Sequence, residues 1–231
     1  MKKTFKMFWR ILWKIAFYFF FVSIAWVVLF RFVPIPVTFL MLQRCVEQKM
    51  DGKEMKLTKE WISIDKISPN LILAVVSSED NNFTEHWGFD FNAIKKAAEY
   101  NNRKHVRHIK GASTISQQTA KNVFLFPSRS WIRKGFEVYF TVLIETLWSK
   151  KRIMEVYLNV TEMGDGTYGA EAAAQKYFKK HAKGLSKNES ALLAAILPNP
   201  RKWSPVKPNS YIYKRQVWIS WNMNNIGKVE W

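Results

Sequence analysis

Apolar and polar positions divide the chain at its start. Ile15 to Phe30 ("IAFYFFFVSIAWVVLF") is a run of sixteen residues without a charge. A membrane-spanning helix needs roughly 20 residues. Ile11 to Trp13 make up the length, with Lys14 turning its ammonium back toward the interface. Pro34 and Pro36 end that helix. Residues 37–65 are mixed in polarity and read as a linker, with a turn at Asp51-Gly52 and a short strand around Trp61 to Ile64.

From Ser68 onward the pattern is helical. Ser68-Pro69 supplies an N-cap followed by proline at the first helical position. The helix it opens runs through "LILAVVSS" to Glu79-Asp80. A second helix is predicted over Ser113 to Asn122. A long one is predicted over Ser130 to Trp148, where Ile132, Phe136, Phe140, Leu143 and Leu147 recur at helical spacing. "KRIMEVYLNV" and "AEAAAQKYFKK" follow. Ser186 and Glu189 form a capping box before "ALLAAIL", which stops at Pro198. A last helix covers Tyr211 to Met223, with Gly227 beyond it. Strand alternation is almost absent. The pattern predicts an all-α or mainly α domain around one core, over residues 66–231. A basic tail and anchor (1–34) and the linker (35–65) precede it.

The 231 residues carry 36 Lys and Arg against 18 Asp and Glu, a net charge of +18. Such an excess speaks of partners: nucleic acid, anionic lipid or phosphorylated substrates. The anchor narrows the choice. Lys2, Lys3, Lys6, Arg10 and Lys14 precede the apolar run and Arg31 alone follows just after it. That asymmetry keeps the N-terminus in the cytoplasm. "RFVPIPVTFL" offers no small-residue cleavage site, so the run reads as a retained anchor and not a cleaved signal peptide. The rest of the chain is then expected outside the plasma membrane, which argues against nucleic acid. Cys45, the single cysteine, permits no intrachain disulfide and is assigned to packing.

Three clusters carry candidate chemistry. "SSEDNNFTEHWGFD" drives two acids, Glu79 and Asp80, onto the end of an apolar helix. A carboxylate there opposes the helix dipole. Phe83, His86, Trp87 and Gly88 are placed to wall a cleft beside the acids, where an acid can serve as general base. A solvated helix end explains the same residues equally well. In "GASTISQQTAKN", Gly111 to Asn122, backbone N–H groups at a helix start form an anion site to which Ser113 and Thr114 add hydroxyl donors. Gln117 and Lys121 lie four apart on one face. Gln117 and Gln118 cannot both face solvent beside Lys121, so at least one points inward and needs a polar partner. The alternative is a capped helix with a polar surface.

In "RSWIRKGFE", Arg129, Arg133 and Glu137 are spaced by four and share a helix face with Thr141, opposite a strongly apolar side. Arginine in this setting suits phosphate recognition. The alternative is a solvated salt-bridge ladder, worth little. Glu155 is assigned to the core with Asn159, "EMGDGTYG" to a turn, and His105 and His108 to a basic loop. The C-terminal tryptophans are assigned to core or interface.

In this order the clusters resemble the motifs of the peptidoglycan glycosyltransferases, the family that polymerises lipid II. "EDNNFTEHWGFD" is similar to the first motif, "GASTISQQTAKN" to the second and "RKGFE" to the third. "RIMEVYLNVTEMGDGTYG" is similar to the fourth and "ESALLAAILPNPRKWSP" to the fifth. The likeness spans about Trp61 to Pro205. With no transpeptidase domain after the fifth motif, the chain is expected to be a monofunctional biosynthetic member.

The resemblance implies a lysozyme-like, mainly α glycosyltransferase domain after one transmembrane helix. It also implies a small membrane-proximal lobe, supplied by Phe91 to Lys110. By the same likeness Glu79 matches the essential acid that deprotonates the 4-hydroxyl of the acceptor GlcNAc. Glu137 matches the second acid, which assists departure of the diphosphate. Lys121 and Arg129 match the cations that hold the donor's diphosphate. Asp80, Phe83, His86, Ser113, Thr114, Gln117, Gln118 and Arg133 fall at substrate-binding positions. The likeness specifies no cofactor, and a divalent cation, Mg2+ or Mn2+, is allowed at Glu137. The implied partners are lipid II, the growing glycan chain and membrane lipids. Other cell-wall synthesis or division proteins are allowed as well. The implied location is the bacterial plasma (inner) membrane, crossed once.

Two other functions compete. A lysozyme-like hydrolase or lytic transglycosylase would share the fold and a catalytic Glu. It would have no use for Lys121 and Arg129, because its leaving group is a sugar hydroxyl. A non-catalytic, basic membrane protein that scaffolds the wall machinery is the third possibility.

Overall fold

The computed structural model describes residues 2–103, 110–128 and 130–231. It divides into two compact units, Met1–Pro34 and Ile35–Trp231. The first is a single helix, α1 (Lys2–Phe32), of which Trp9–Phe32 is long and apolar enough to cross a membrane.

The second unit begins with the segment expected to be a linker, and that expectation is corrected. Thr38 caps a helix, α2 (Phe39–Met50), by accepting from the Met41 N–H. Asp51-Gly52 turns as expected, with Gly52 at φ +67°. The short strand is β1 (Thr58–Lys59), and not around Trp61 to Ile64. There the N–H groups of Ile62 and Ile64 donate to Asn159 Oδ1 and Glu155 Oε2. Two side chains take the place of a partner strand, so the backbone is satisfied without a sheet. The core role assigned to Glu155 and Asn159 consists of this binding.

Ser68 caps α3 (Pro69–Glu79) as the sequence indicates. Asp90 caps α4 (Phe91–Asn101), which buries none of its residues. Next come α5 (Ile115–Phe124), α6 (Trp131–Leu147) and α7 (Lys150–Val160). β2 (Glu162–Gly164) and β3 (Thr167–Tyr168) follow, with the sheet ordered β1-β3-β2. α8 (Ala170–Phe178), α9 (Lys187–Ile196) and α10 (Ser210–Ile226) complete the unit. The capping box of Ser186 and Glu189 is present, and Gly227 ends α10. Of the lobe expected over Phe91 to Lys110, residues 104–109 lie outside the described residues, His105 and His108 among them.

α3 forms the centre, against α9 and α10, while α5 packs on α6 and α7. Leu71, Val75 and Leu193 are fully buried. Each such side chain stabilises the fold by roughly 1.5–3 kcal/mol.

α6 is packed with its polar face inward. Glu137, Thr141 and Glu145 are buried beside Phe140 and Ile144. Trp131 and Ile132, by contrast, are 91% and 75% exposed. Of the apolar positions that recur at helical spacing, Ile132 and Phe136 are exposed and Phe140 is buried. The inward face accepts the acids because each finds partners there, as the site geometry shows.

Candidate active site

Glu79 is the last residue of α3, and its carboxylate is held from two sides. Oε2 accepts from Gln118 Nε2 of α5 at 3.0 Å. Oε1 lies 3.2 Å from Ser78 Oγ and 3.4 Å from Arg215 Nη2 of α10. Gln118 is itself fixed, because its Oε1 accepts from the buried Tyr157 hydroxyl at 3.3 Å. Burial raises the Tyr157 phenol well above its ordinary range, with the charge of Glu79 adding to the effect. It therefore stays protonated and donates.

The neighbouring acid plays a different part. Asp80 is buried, with Oδ2 accepting from the Ile115 N–H at 2.9 Å and Oδ1 2.8 Å from His86 Nε2. Thr114 donates to Gly88 O at 2.7 Å. Together these bonds tie the loop after α3 to the start of α5. Gly88 sits at φ +78°, where a Cβ would stand 2.7 Å from Thr141 Cγ2. Only glycine fits that approach. Behind the loop, Lys150 Nζ donates to His86 O and to Glu145 Oε1, and Ser116 Oγ donates to the same Glu145 oxygen.

A cleft of about 760 Å³ opens on Glu79. Asp80, Ser113, Thr114 and Gln118 line it, together with Lys96, Lys110, Tyr211 and Arg215. Three residues expected to bind substrate are engaged within the protein. Phe83 is fully buried, with the Lys150 ammonium 4.8 Å from its ring centroid. His86 is spent on Asp80. Gln117 is buried in a capping box with Thr114, whose N–H donates to Gln117 Oε1 at 3.0 Å. The inward-facing glutamine deduced from the sequence is thus realised twice, by Gln117 in the cap and by Gln118 on Glu79.

Lys121 and Arg133 line a second pocket of about 380 Å³ with Arg44 of α2. Burial lowers the Lys121 ammonium below the ordinary lysine value. Glu137 and, less strongly, Glu79 hold it up, while Arg133 and Lys134 press it down. Glu137 pairs with Arg133 Nη1 at 3.0 Å and with Lys134 Nζ, its side chain 4% exposed. Glu137 is thus a buried acid held by two partly exposed cations, and not a rung of the solvated ladder set against it above. Both carboxylate oxygens are occupied by cations. Among the described residues no three His, Cys, Asp or Glu side chains gather as metal ligands. The donor set therefore does not fit the divalent cation allowed at Glu137. Arg129 lies outside the described residues.

Arg215, Lys134, Tyr157 and Lys150 were not singled out from the sequence. Lys134 sits inside "RKGFE" and Tyr157 inside "EVYLN", so position in a motif was a usable signal for both. Arg215 had none, since it follows every motif.

The chain belongs to the transglycosylase family, whose model matches residues 47–224. It is 50% identical over 221 residues to the biosynthetic peptidoglycan transglycosylase of Haemophilus influenzae, covering 95% of this chain and 89% of that protein. It is 52% identical over 203 residues to the protein of the same name from Bdellovibrio bacteriovorus, covering 88% and 80%. The likeness to the Escherichia coli protein of that name is 50% over 202 residues, covering 87% and 83%.

Proposed function

We propose that the chain polymerises lipid II into linear β-1,4-linked peptidoglycan strands, with undecaprenyl diphosphate as leaving group. The acceptor's 4-hydroxyl oxygen attacks the anomeric carbon of the donor while its proton passes to Glu79. The bond from that carbon to the diphosphate oxygen breaks, and its electron pair leaves with the diphosphate. The α link becomes β by inversion. Lys121 and Arg133 neutralise the departing charge, and Arg129 is given the same task by the resemblance. Glu137 holds Arg133 and Lys134 in place. Ser113, Thr114, Gln118 and Asp80 line the cleft that takes the substrates.

One observation carries this reading: the half-buried Lys121, one turn from Gln118, shares a pocket with the cations Arg44 and Arg133. Fixed positive charge in a water-poor site stabilises a developing anion. A hydrolase that expels a sugar hydroxyl has no use for it. The name shared by the relatives supports the same activity.

The helix Trp9–Phe32 serves as a single-pass anchor, with the N-terminus cytoplasmic because Lys2, Lys3 and Lys6 precede the span and Arg10 and Lys14 lie in its first turns. The outward apolar side chains of α6, with Trp87, Phe91 and Phe126, suit a bilayer surface where the lipid tails of both substrates reside. Excess positive charge adds about 1 kcal/mol per Lys or Arg close to anionic head groups. Purified protein given labelled lipid II tests the activity. Polymer supports synthesis, shortened glycan would mean a hydrolase, and no change would leave a scaffold.

A further inference from the structure

Among the described residues, only one cation is hydrogen-bonded to Glu79, and it comes from outside the five motifs. Arg215 Nη2 lies 3.4 Å from Glu79 Oε1 and donates to Ser78 Oγ at 3.0 Å. Its side chain is 20% exposed, and its Nε is buried without a hydrogen-bond partner. It stands on the cleft wall with Tyr211.

The helix that carries it is firmly seated. Ile212, Ile219 and Met223 of α10 are buried, and Asn222 Nδ2 donates to Ser77 O at 3.2 Å. Arg215 lies at i+3 from Ile212 and i−4 from Ile219, on that buried face. A guanidinium placed there loses hydration. A pair built for stability would recover the loss with a bidentate contact. Here a single Nη2 is shared between Ser78 and Glu79, and Nε is left over. The arrangement is poor as a structural salt bridge and well suited to fixing one carboxylate oxygen.

We propose that Arg215 is a positioning residue for the base. The proposal rests on the reading of Glu79 given above. The carboxylate torsion of a glutamate is broad and nearly two-fold. Gln118 fixes Oε2. Arg215 fixes Oε1 both directly and by turning the Ser78 hydroxyl. With both oxygens held, the carboxylate plane is set before the acceptor arrives, and the remaining lone pair meets the hydroxyl proton at a defined place. Lysine keeps the charge but carries it as a point on a flexible stem, so it fixes the direction of the contact less well.

The test compares wild type, R215A and R215K on lipid II, by kcat, KM and melting curve. For R215A we expect kcat to fall on the order of 10²-fold, as misplacement of a reacting group by about 1 Å does. KM should stay near wild type, since no ground-state contact is lost. Guanidinium ion at non-denaturing concentration should restore part of the R215A rate, and R215K should recover part of kcat. Should R215A fail to fold, R215Q carries the same comparison. A wild-type kcat overturns the proposal. So does a rise in KM alone, or a loss that tracks melting and is not rescued by guanidinium. Wild-type protein that forms no polymer would instead overturn the synthase reading, so the two failures are distinguishable.

Discussion

Gln118 Nε2 and Glu79 Oε2 stand 3.0 Å apart, across 39 positions of sequence. The Tyr157 hydroxyl on the other side of the amide decides which end of Gln118 faces the acid. Gln118→Ala removes a hydrogen bond to a charged group, worth about 1.5–3 kcal/mol. The expected result is a fall in kcat of roughly 10- to 100-fold, read as the initial rate of lipid II polymerisation. The melting curve should fall as well, because the buried Tyr157 hydroxyl loses its acceptor, so the rate is read well below the variant's melting temperature.

Glu79→Gln preserves size and hydrogen bonding but cannot accept the acceptor's proton. Loss of a general base lowers the rate by about 10²–10⁴-fold. Lipid II binding should survive, as measured on labelled substrate. Near wild-type polymerisation by this variant would remove Glu79 from the role of base.

Lys121 gives a pH dependence. Its folded pKa lies below the ordinary value of 10.5, chiefly through burial. As pH rises through that lowered value the ammonium is lost and the polymerisation rate should fall, earlier than a surface lysine would allow. Stability moves the other way. Between the folded and unfolded values the unfolded chain binds more protons, so this residue's contribution to stability rises with pH. Lys121→Arg should shift the alkaline fall in rate upward. Lys121→Ala should lose about 2.7–4 kcal/mol of transition-state stabilisation, by analogy with oxyanion donors. A rate unchanged in Lys121→Ala would rule out its role toward the leaving diphosphate.

Far from the cleft, Glu171 pins the start of α8 to the segment before α9. It accepts from the Ala182 N–H at 2.8 Å, Gln175 Nε2 at 3.0 Å and His181 Nδ1 at 2.6 Å. Burial pushes its carboxyl upward, but these bonds together outweigh it and hold the group below the ordinary glutamate value. A depressed acid stabilises the fold above its unfolded pKa, and that contribution disappears as pH falls through the folded value. Glu171→Gln should destabilise by about 1–3 kcal/mol at neutral pH. The gap between its denaturant midpoint and that of wild type should narrow in acid.

The outward face of α6 is testable without touching the cleft. Trp131→Ser with Ile132→Ser should leave the melting temperature near wild type, since both side chains are exposed. Co-sedimentation of residues 35–231 with anionic vesicles should weaken. Unchanged vesicle binding would mean that this face does not meet the bilayer.

The sequence announced some elements plainly because their ends carry chemistry. Ser68-Pro69 and the Ser186–Glu189 box each mark a helix start, and both are realised. α2 was missed although Thr38 stands after Pro36 as a cap. Its interior, with Arg44, Glu47 and Gln48, shows too little apolar period to compete with a linker reading. α6 misled for a physical reason. Periodicity locates an apolar stripe but does not say which phase the stripe meets, and here Ile132 faces outward while Glu137 turns in. At the site, residue type singled out Glu79, Gln118 and Lys121 as candidates, and the fold brings the first two into hydrogen-bond contact. It could not separate Phe83 and His86, which support the loop, from side chains that line the cleft. That distinction depends on burial. Arg215 was invisible because its meaning comes from a partner 136 positions earlier.

That separation has a temporal side. Ser77, Ser78 and Glu79 are fastened by Asn222 and Arg215, both from the last helix of the unit. A chain that emerges N-terminus first exposes Glu79 long before α10 exists to brace it. Closing so long a loop comes late, because its entropy must be met before the contacts form. The cleft is therefore finished by the same helix that finishes the unit.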